Sequence, residues 1–244
     1  MKKISPRTLP DAARMMGKQA WPLCNRIFFN SISISAKIIW KLQYGGYLQK
    51  FYYSRTGFRK FNDLMPHLDD IKWDEKRMEH LESLHEILKE YLAPEHFPNS
   101  VEFLGIYGRL CINSFNILDD DLNSIGTGIY LAASILDHSC KPNAVAVFEG
   151  PQLSIRLTED IPELNWDKIR ITYIDQVDLP ETRRSELKKS YYFDCDCERC
   201  SDETIAPKMQ AMACPNTTQD CECPGKLVLD DFSRNRNFKL FFKF

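Results

Sequence analysis

Apolar residues recur every three or four positions over residues 73–92, which is the spacing of one face of a helix. Asp74 is a suitable N-cap for this segment, and Pro94 is a suitable stop. The spacing therefore predicts a helix with one buried face. Residues 35–48 and 100–115 predict two further helices. The members of the apolar face are Met78, Leu81, Leu84, Leu88 and Tyr91.

The pattern changes to short β-rich runs after Gly128. Residues 144–148, 153–157 and 169–174 each predict a strand. The apolar residues alternate strictly in the second run and at Ile169 and Ile171, which predicts one buried face for these two strands. Residues 180–192 then predict a helix that leads into a group of cysteines. Together the two halves predict an α+β fold whose first half is mostly helical. The basic residues expected on the solvated side of the last helix are Arg183, Arg184, Lys188 and Lys189.

Composition narrows the possible classes of function. The chain has 244 residues, of which 43% are hydrophobic and 27% charged, so it can bury the core of one or two domains. Its formal net charge of −2 is nearly balanced, which argues against strong direct binding of DNA. The apolar stretch 27–40 is interrupted by polar residues and is too short to span a bilayer. We therefore expect a soluble protein without a membrane partner.

The cysteines indicate a metal rather than disulfides. Nine cysteines in 244 residues are too few for a disulfide scaffold, so we expect a reducing compartment. Cys140 and the closely spaced Cys195, Cys197 and Cys200 match the four-thiolate set that Zn²⁺ prefers in closed structural sites. The alternative is that they are ordinary thiols. A second metal site would lack its fourth ligand, since it would comprise Cys214, Cys221 and Cys223.

Several motifs follow one another in a specific order along residues 30–200. The motifs are Cys-Ile-Asn-Ser-Phe at 111–115, Gly-Thr-Gly-Ile-Tyr at 126–130, Leu-Asp-His-Ser-Cys-Lys-Pro-Asn at 136–143, Ile-Thr-Tyr-Ile-Asp at 171–175, Arg-Arg-x-x-Leu at 183–187, and Tyr-Tyr-Phe-Asp-Cys-Asp-Cys-Glu-Arg-Cys at 191–200. With these motifs in this order, the chain resembles the SET-domain protein lysine methyltransferases, and within them the SET and MYND domain (SMYD) family.

The resemblance implies an architecture as well as a class. The expected fold has small curved β-sheets, a knot-like loop at the His-Ser-Cys stretch and an inserted helical region. A cluster of zinc-binding cysteines is expected to follow the catalytic core. The expected segments are a degenerate remnant of a MYND-type finger helix at 1–26, the helical insert at 27–112, the SET catalytic core at 113–176, the post-SET zinc segment at 177–200, and a cysteine-containing tail at 201–244 without the family's C-terminal helical repeats.

The activity implied by the resemblance is methyl transfer from S-adenosylmethionine to a lysine side chain. Tyr173 matches the family's catalytic tyrosine, whose hydroxyl lies beside the transferring methyl group. Tyr191 resembles a wall of the lysine channel. Such an aromatic channel disfavours the ammonium form of lysine by desolvation and orients it through cation–π contact.

The cofactor contacts are implied in the same way. Phe193 matches the ring that packs on the adenine, Asn113 is expected at the methionine end, and Tyr173 lines the same pocket. Asp137 and His138 are expected to offer backbone groups to the adenine edge. Most family members have asparagine where this chain has Asp137, which lacks amide donors and adds a negative charge. That charge either pairs with the cofactor's ammonium or breaks a hydrogen bond in the knot.

The chain departs from the family near its beginning. The family's Gly-x-Gly strand, which wraps the cofactor, and the seven-cysteine MYND finger have no counterpart in this sequence. Residues 17–24 resemble the last helix of that finger, but Met16 and Cys24 stand where a zinc cysteine and the histidine belong. Loss of the strand is expected to impair catalysis.

Three hypotheses follow, and they differ in class. The first is a monomeric protein-lysine methyltransferase of nucleus and cytoplasm, which acts on a histone tail or another protein. The second is a catalytically inactive SET-fold scaffold. The third is a zinc-stabilised chromatin adaptor that uses the basic N-terminus, which the balanced net charge disfavours.

Overall fold

The computed structural model describes residues 26–210, 212–213 and 226–227. By its contacts the chain divides into two compact units, one of residues 1–136 and 146–156 and one of residues 137–145 and 157–244. Helices and short strands both occur, as an α+β fold requires. The five segments expected from the resemblance are defined by sequence similarity, whereas these two units are defined by contacts. The segments therefore stay a prediction.

The helices of the first unit are α1 (Arg26–Gln43), α2 (Leu68–Ile71), α3 (Glu75–Tyr91) and α4 (Ser100–Asn113). The predicted helix at 35–48 was wrong at both ends. The observed helix α1 begins at Arg26, before the predicted start, because the serines of this stretch tolerate helical backbone. Ser35 is even buried in the core. The helix ends earlier than predicted because Gly45 adopts a left-handed φ of 85°, which glycine accepts without strain.

Helix α3 confirms the periodicity of residues 73–92. Leu81, Leu84 and Leu88 are buried, whereas Tyr91, predicted on the same face, is 49% exposed at the end of the helix. The Asp74 carboxylate accepts a hydrogen bond from the backbone N–H of Arg77. The side chain of Asp74 therefore satisfies one of the donors that every helix leaves open at its first turn.

Replacement of Asp74 by alanine is expected to lower the free energy of unfolding by about 1 kcal/mol, because an N-cap side chain contributes about that much. Urea unfolding followed by far-ultraviolet circular dichroism measures the loss. Asp69→Ala is the matched control, because the fully exposed Asp69 forms only a 3.5 Å ion pair with Lys72. Equal stability of the two variants would contradict the role of the cap.

Several strands of the first unit were not predicted from the sequence. Strand β3 (Ser114–Leu118) pairs antiparallel with β4 (Ser124–Ile129), and Phe115 lies opposite Gly128. The predicted helix at 100–115 extended into β3, whereas α4 ends at Asn113. Residues 114 and 115 are in strand conformation because they pair with β4, and such pairing depends on a partner segment rather than on local periodicity. Two smaller strands, β1 (Phe51–Tyr52) and β2 (Phe58–Arg59), form another antiparallel pair.

The candidate site lies in the second unit. Strand β5 (Asp137–His138) pairs in parallel with β8 (Arg170–Ile171). Only these two residues of the predicted strand at 169–174 are in strand conformation. Strands β6 (Ala144–Glu149) and β7 (Gln152–Leu157), most of whose residues belong to the first unit, form a hairpin close to its predicted bounds. The pairing of β5 with β8 places the two motifs around His138 and Tyr173 side by side.

The remaining elements follow Ile171. Helix α5 (Pro180–Tyr191) confirms the predicted helix at 180–192, and the short helix α6 (Glu198–Ser201) carries Cys200. Helix α7 (Ile205–Gln210) and the antiparallel strands β9 (Met212–Ala213) and β10 (Lys226–Leu227) come last. Within the described ranges, every helix is too short or too polar to cross a membrane.

Candidate metal centre and aromatic site

Four thiols meet in the second unit, as the spacing of the cysteines predicts. The Sγ atoms of Cys140, Cys195, Cys197 and Cys200 all lie within 4.8 Å of one another. Cys140 is 3.4 Å from Cys200 and 4.0 Å from Cys195, measured between sulfurs. None of the four forms a disulfide. Ordinary thiols scattered on the surface would show no such convergence.

The local fold explains why these sulfurs converge. Cys140 follows β5, which is fixed beside β8 by pairing and by a 2.9 Å hydrogen bond from the Ser139 N–H to the Ile171 carbonyl. The other three thiols follow α5. The N–H of Cys200 donates to the carbonyl of Cys197 at 2.9 Å, which closes the turn that begins α6.

The geometry fits a tetrahedral metal ion. A Zn–S bond is about 2.3 Å long, so neighbouring sulfurs of a tetrahedral site are about 3.8 Å apart. The sulfur separations of 3.4 and 4.0 Å bracket this value. Burial fits as well, because Cys140, Cys195 and Cys200 are exposed by only 0%, 7% and 5%. These four residues can hold one zinc ion in a closed site.

The thiols differ in acidity according to their surroundings. Burial raises the pKa of Cys140 far above its usual range and raises that of Cys195 to about 11. Burial acts in the same direction on Cys197, but hydrogen bonds from the backbone of Cys200 and Cys140 outweigh it and lower its pKa to about 7. A bound divalent ion deprotonates thiols of this kind outright.

His138 lies between the cysteines and the aromatic residues. Its Nδ1 accepts a 3.1 Å hydrogen bond from the backbone N–H of Tyr173. Burial and the charge of Arg183 lower the pKa of His138 to about 4, so its ring is neutral near pH 7. A neutral histidine ring carries one proton, and because Nδ1 accepts a hydrogen bond this proton is on Nε2. The Nε2 atom therefore donates to the Cys140 sulfur at 3.2 Å.

Arg183 was predicted on the solvated side of α5, and this prediction was wrong. Its relative exposure is 0%, its Nη2 lies 3.8 Å from the Cys200 sulfur, and its Nη1 donates to the carbonyl of Asp178. The helical period explains the burial, because Pro180, Arg183 and Leu187 lie on one face and all three are buried.

Four rings form the aromatic cluster, which comprises His138, Tyr173, Tyr191 and Phe193. The His138 ring centroid is 5.3 Å from that of Tyr173 and 6.0 Å from that of Phe193. The Tyr173 and Tyr191 rings are 5.0 Å apart, and the Tyr191 hydroxyl donates to the Tyr173 carbonyl at 3.4 Å. All four side chains are only partly buried, so each keeps some open surface.

The tyrosine and phenylalanine rings of the aromatic cluster pack against the converging cysteines. Tyr173, Tyr191 and Phe193 pack against a core that includes Cys140, Cys195, Cys200, Ile174 and Leu187. The rings therefore keep their positions only while the cysteine-containing loops keep their conformation.

The other two predicted cofactor residues have partners of their own. The carboxylate of Asp137 is exposed and lies 3.8 Å from the guanidinium of Arg170. Asn113 belongs to the first unit, where its Nδ2 donates to the carbonyls of Met65 and Arg109 at 3.0 and 2.9 Å. Their roles toward a cofactor stay predictions.

Some predicted features fall outside the described residues. The finger-like helix with Met16 and Cys24 is among them, as is the second metal site of Cys214, Cys221 and Cys223.

Sequence reasoning missed three arginines that contact the cysteine segments. Besides Arg183, the guanidinium of Arg184 donates to the Cys200 carbonyl, and Arg199 donates to the Cys140 carbonyl at 3.1 Å. The helical period of α5 is the signal that could have found Arg183. No comparable signal marks Arg184 or Arg199. Each donates to a backbone carbonyl, of Cys200 and of Cys140, that only the tertiary fold brings close.

Comparison with known proteins finds lysine methyltransferases as relatives of the chain. No family model matches it. It is 30% identical over 205 residues to the human histone-lysine N-methyltransferase SMYD3, a match that covers 82% of this chain and 41% of that protein. The mouse SMYD3 is 28% identical over 203 residues, with the same coverage of both chains. The mouse N-lysine methyltransferase SMYD2 is 23% identical over 245 residues, covering 91% of this chain and 54% of the relative.

The chain spans about half, or less, of the length of these curated relatives. The matches nevertheless cover most of its own residues. Over the stretch that these matches cover, the chain is homologous to the SMYD lysine methyltransferases.

Proposed function

We propose that the protein is an S-adenosylmethionine-dependent protein-lysine methyltransferase with a SET-type fold, a knot-like loop at residues 137–143 and a structural zinc ion. The observation that carries the proposal is the aromatic cluster packed directly on four convergent thiols. The relatives' printed names, histone-lysine and N-lysine methyltransferases, support the reaction class. S-adenosylmethionine, when bound, supplies the electrophilic methyl group.

Tyr173 is the proposed catalytic residue, and its surroundings hold it in place. Its backbone N–H donates to His138, its carbonyl accepts from Tyr191, and its ring lies against both neighbours. A side chain fixed in this way can direct its hydroxyl at a reacting group without losing further conformational freedom.

Tyr191 and Tyr173 are the proposed walls of the lysine site. Two aromatic rings 5.0 Å apart offer a surface that is weakly polar and electron-rich. Such a surface favours the neutral amine of lysine over its ammonium by desolvation, and it still orients the cation on entry. The neutral state of His138 adds no positive charge that would repel the ammonium.

Phe193 is the proposed contact for the adenine ring. It is partly buried and lies 6.0 Å from His138 between ring centroids, so its remaining surface can stack on a base. Asp137, His138 and Asn113 are the further proposed cofactor residues.

The proposed zinc ion is structural. Four thiolates complete a tetrahedral shell and leave no position for water or substrate. The zinc ion would connect the loop after β5 to the segment after α5. In this way it would also fix the positions of the rings that pack on these segments.

The proposed substrate is a protein with an accessible lysine, such as a histone tail, and the enzyme is proposed to act as a monomer in nucleus and cytoplasm. One observation favours a second candidate, the catalytically inactive scaffold. Both donors of the Asn113 amide are engaged by backbone carbonyls within the first unit, so neither is directed at a ligand.

Phe193→Ala is expected to weaken the binding of S-adenosylmethionine by about 5- to 150-fold, because an aromatic ring stacked on a base contributes about 1–3 kcal/mol. Calorimetric titration of the zinc-loaded chain measures this. Phe58→Ala is the control, since Phe58 belongs to the first unit and packs on Tyr52. A folded, zinc-containing wild type that binds no S-adenosylmethionine would exclude the methyltransferase and support the scaffold.

A further inference from the structure

The guanidinium of Arg183 is fully buried beside the cysteines. Its Nη1 donates to the Asp178 carbonyl and its Nη2 faces the Cys200 sulfur at 3.8 Å. Its Nε is buried and makes no hydrogen bond with any described residue. The polar neighbours of the guanidinium therefore include one neutral acceptor, the Asp178 carbonyl, and the sulfurs of Cys200 and Cys140.

A buried cation requires a counter-charge. Removing a guanidinium from water costs several kcal/mol unless an anion compensates it. None of the ion pairs between described residues includes Arg183. The sulfur-bearing residues are the groups around it that can become anionic, and both Cys140 and Cys200 interact with it electrostatically.

We propose that Arg183 is a positioning residue for the metal centre, which it holds by offsetting the surplus negative charge of the four thiolates. A divalent ion with four thiolates leaves two negative charges uncompensated, and one guanidinium cancels one of them in a site from which water is excluded. The inference rests on the zinc site of the proposed function.

The neighbouring arginines act differently. The side chain of Arg184 is exposed and donates to the carbonyl of Cys200, and Arg199 donates to the carbonyl of Cys140. They fasten the backbone of the ligand segments, whereas Arg183 faces a sulfur. Arg184 is thus a matched control, because it is adjacent in sequence and contacts the same cysteine.

The test compares Arg183→Met, Arg183→Lys and Arg184→Met in the full-length, metal-loaded chain. Zinc affinity is measured by competition with a chromophoric chelator, and Co²⁺ is substituted to record the thiolate-to-cobalt absorption band. Arg183→Met is expected to weaken zinc binding by about 10- to 100-fold, which is the usual cost of losing a residue that supports metal ligands. It is also expected to shift the cobalt band, which reports the charge around the sulfurs.

Arg183→Lys keeps the charge and is expected to retain most of the affinity, and Arg184→Met is expected to change it by less than about threefold. Equal losses in Arg183→Lys and Arg183→Met would overturn the inference, because the charge is kept in only one of them. If Arg183→Met does not fold, the lysine variant decides by itself, and its failure to hold zinc would overturn the inference.

The inference and the proposed function fail in different ways. A wild-type chain that holds zinc with the same affinity as Arg183→Met overturns only the role of Arg183. A folded wild-type chain that binds neither zinc nor cobalt overturns the zinc site itself, and with it this inference.

Discussion

Cys197→Ser is expected to unfold much of the second unit and to release its zinc. Structural zinc sites contribute about 10–16 kcal/mol of apparent binding free energy in small domains, and this energy is coupled to folding. The loss of one thiolate should therefore lower the free energy of unfolding by more than about 4 kcal/mol. Zinc content by native mass spectrometry and stability by guanidinium unfolding, recorded on the same preparation, measure the two effects together.

Cys111→Ser provides the control for this substitution. Burial raises the pKa of Cys111, so its thiol is neutral near pH 7. It belongs to the first unit and, among the described residues, to no group of converging thiols. It should cost no more than an ordinary buried substitution and leave the zinc content unchanged. A Cys197→Ser variant as stable as Cys111→Ser would contradict the structural role of the metal.

Tyr173→Phe is expected to lower kcat for methyl transfer by about 100-fold, which is typical for removing one group that acts on the reacting atoms. The ring remains, so its contacts with His138 and Tyr191 persist and the affinity for S-adenosylmethionine should stay within about twofold. A decrease in kcat with unchanged cofactor affinity indicates a group that acts in the transition state. Steady-state assays with labelled cofactor, together with calorimetry, separate the two quantities.

Tyr44→Phe is the matched control for the tyrosine, because Tyr44 is 63% exposed and belongs to the first unit. Its turnover should equal that of the wild type. If Tyr173→Phe matched the wild type in rate as well, Tyr173 would not be the catalytic tyrosine, and the carry-over from the SMYD family would be wrong at that position.

Local patterns predicted those parts of the fold that are determined locally. The apolar spacing of α3 and its Asp74 cap depend on residues three or four positions apart, and the structure confirms both. The four cysteines were predicted because tetrahedral thiolate sites have recognisable spacing, and their sulfurs do converge.

Features that depend on distant partners were not predicted. Strands β3 and β4 were missed because Phe115 and Gly128 are brought together by pairing, and neither segment alternates strongly by itself. The end of α1 was misplaced because a local glycine conformation at Gly45, rather than the apolar spacing, stops the helix.

Arg183 is a charged residue whose burial was not predicted. A basic residue on a helix is normally exposed, and three of the four basic residues expected on the solvated side of α5 are indeed exposed. The exception lies on the apolar face with Leu187, beside sulfurs that only the tertiary fold supplies. Composition predicts the usual behaviour of a residue type, whereas the counter-charge of a particular site becomes visible only in the structure.

The most direct test of the account is methyl transfer itself. The zinc-loaded chain is incubated with labelled S-adenosylmethionine and, in separate reactions, with a mixture of core histones or a whole-cell protein extract, and the products are analysed by mass spectrometry. The account predicts label on lysine side chains, with none when the cofactor's demethylated product is added in excess. Unlabelled histones and unlabelled protein extracts, from a chain that holds both zinc and S-adenosylmethionine, would contradict it and identify the protein as a scaffold.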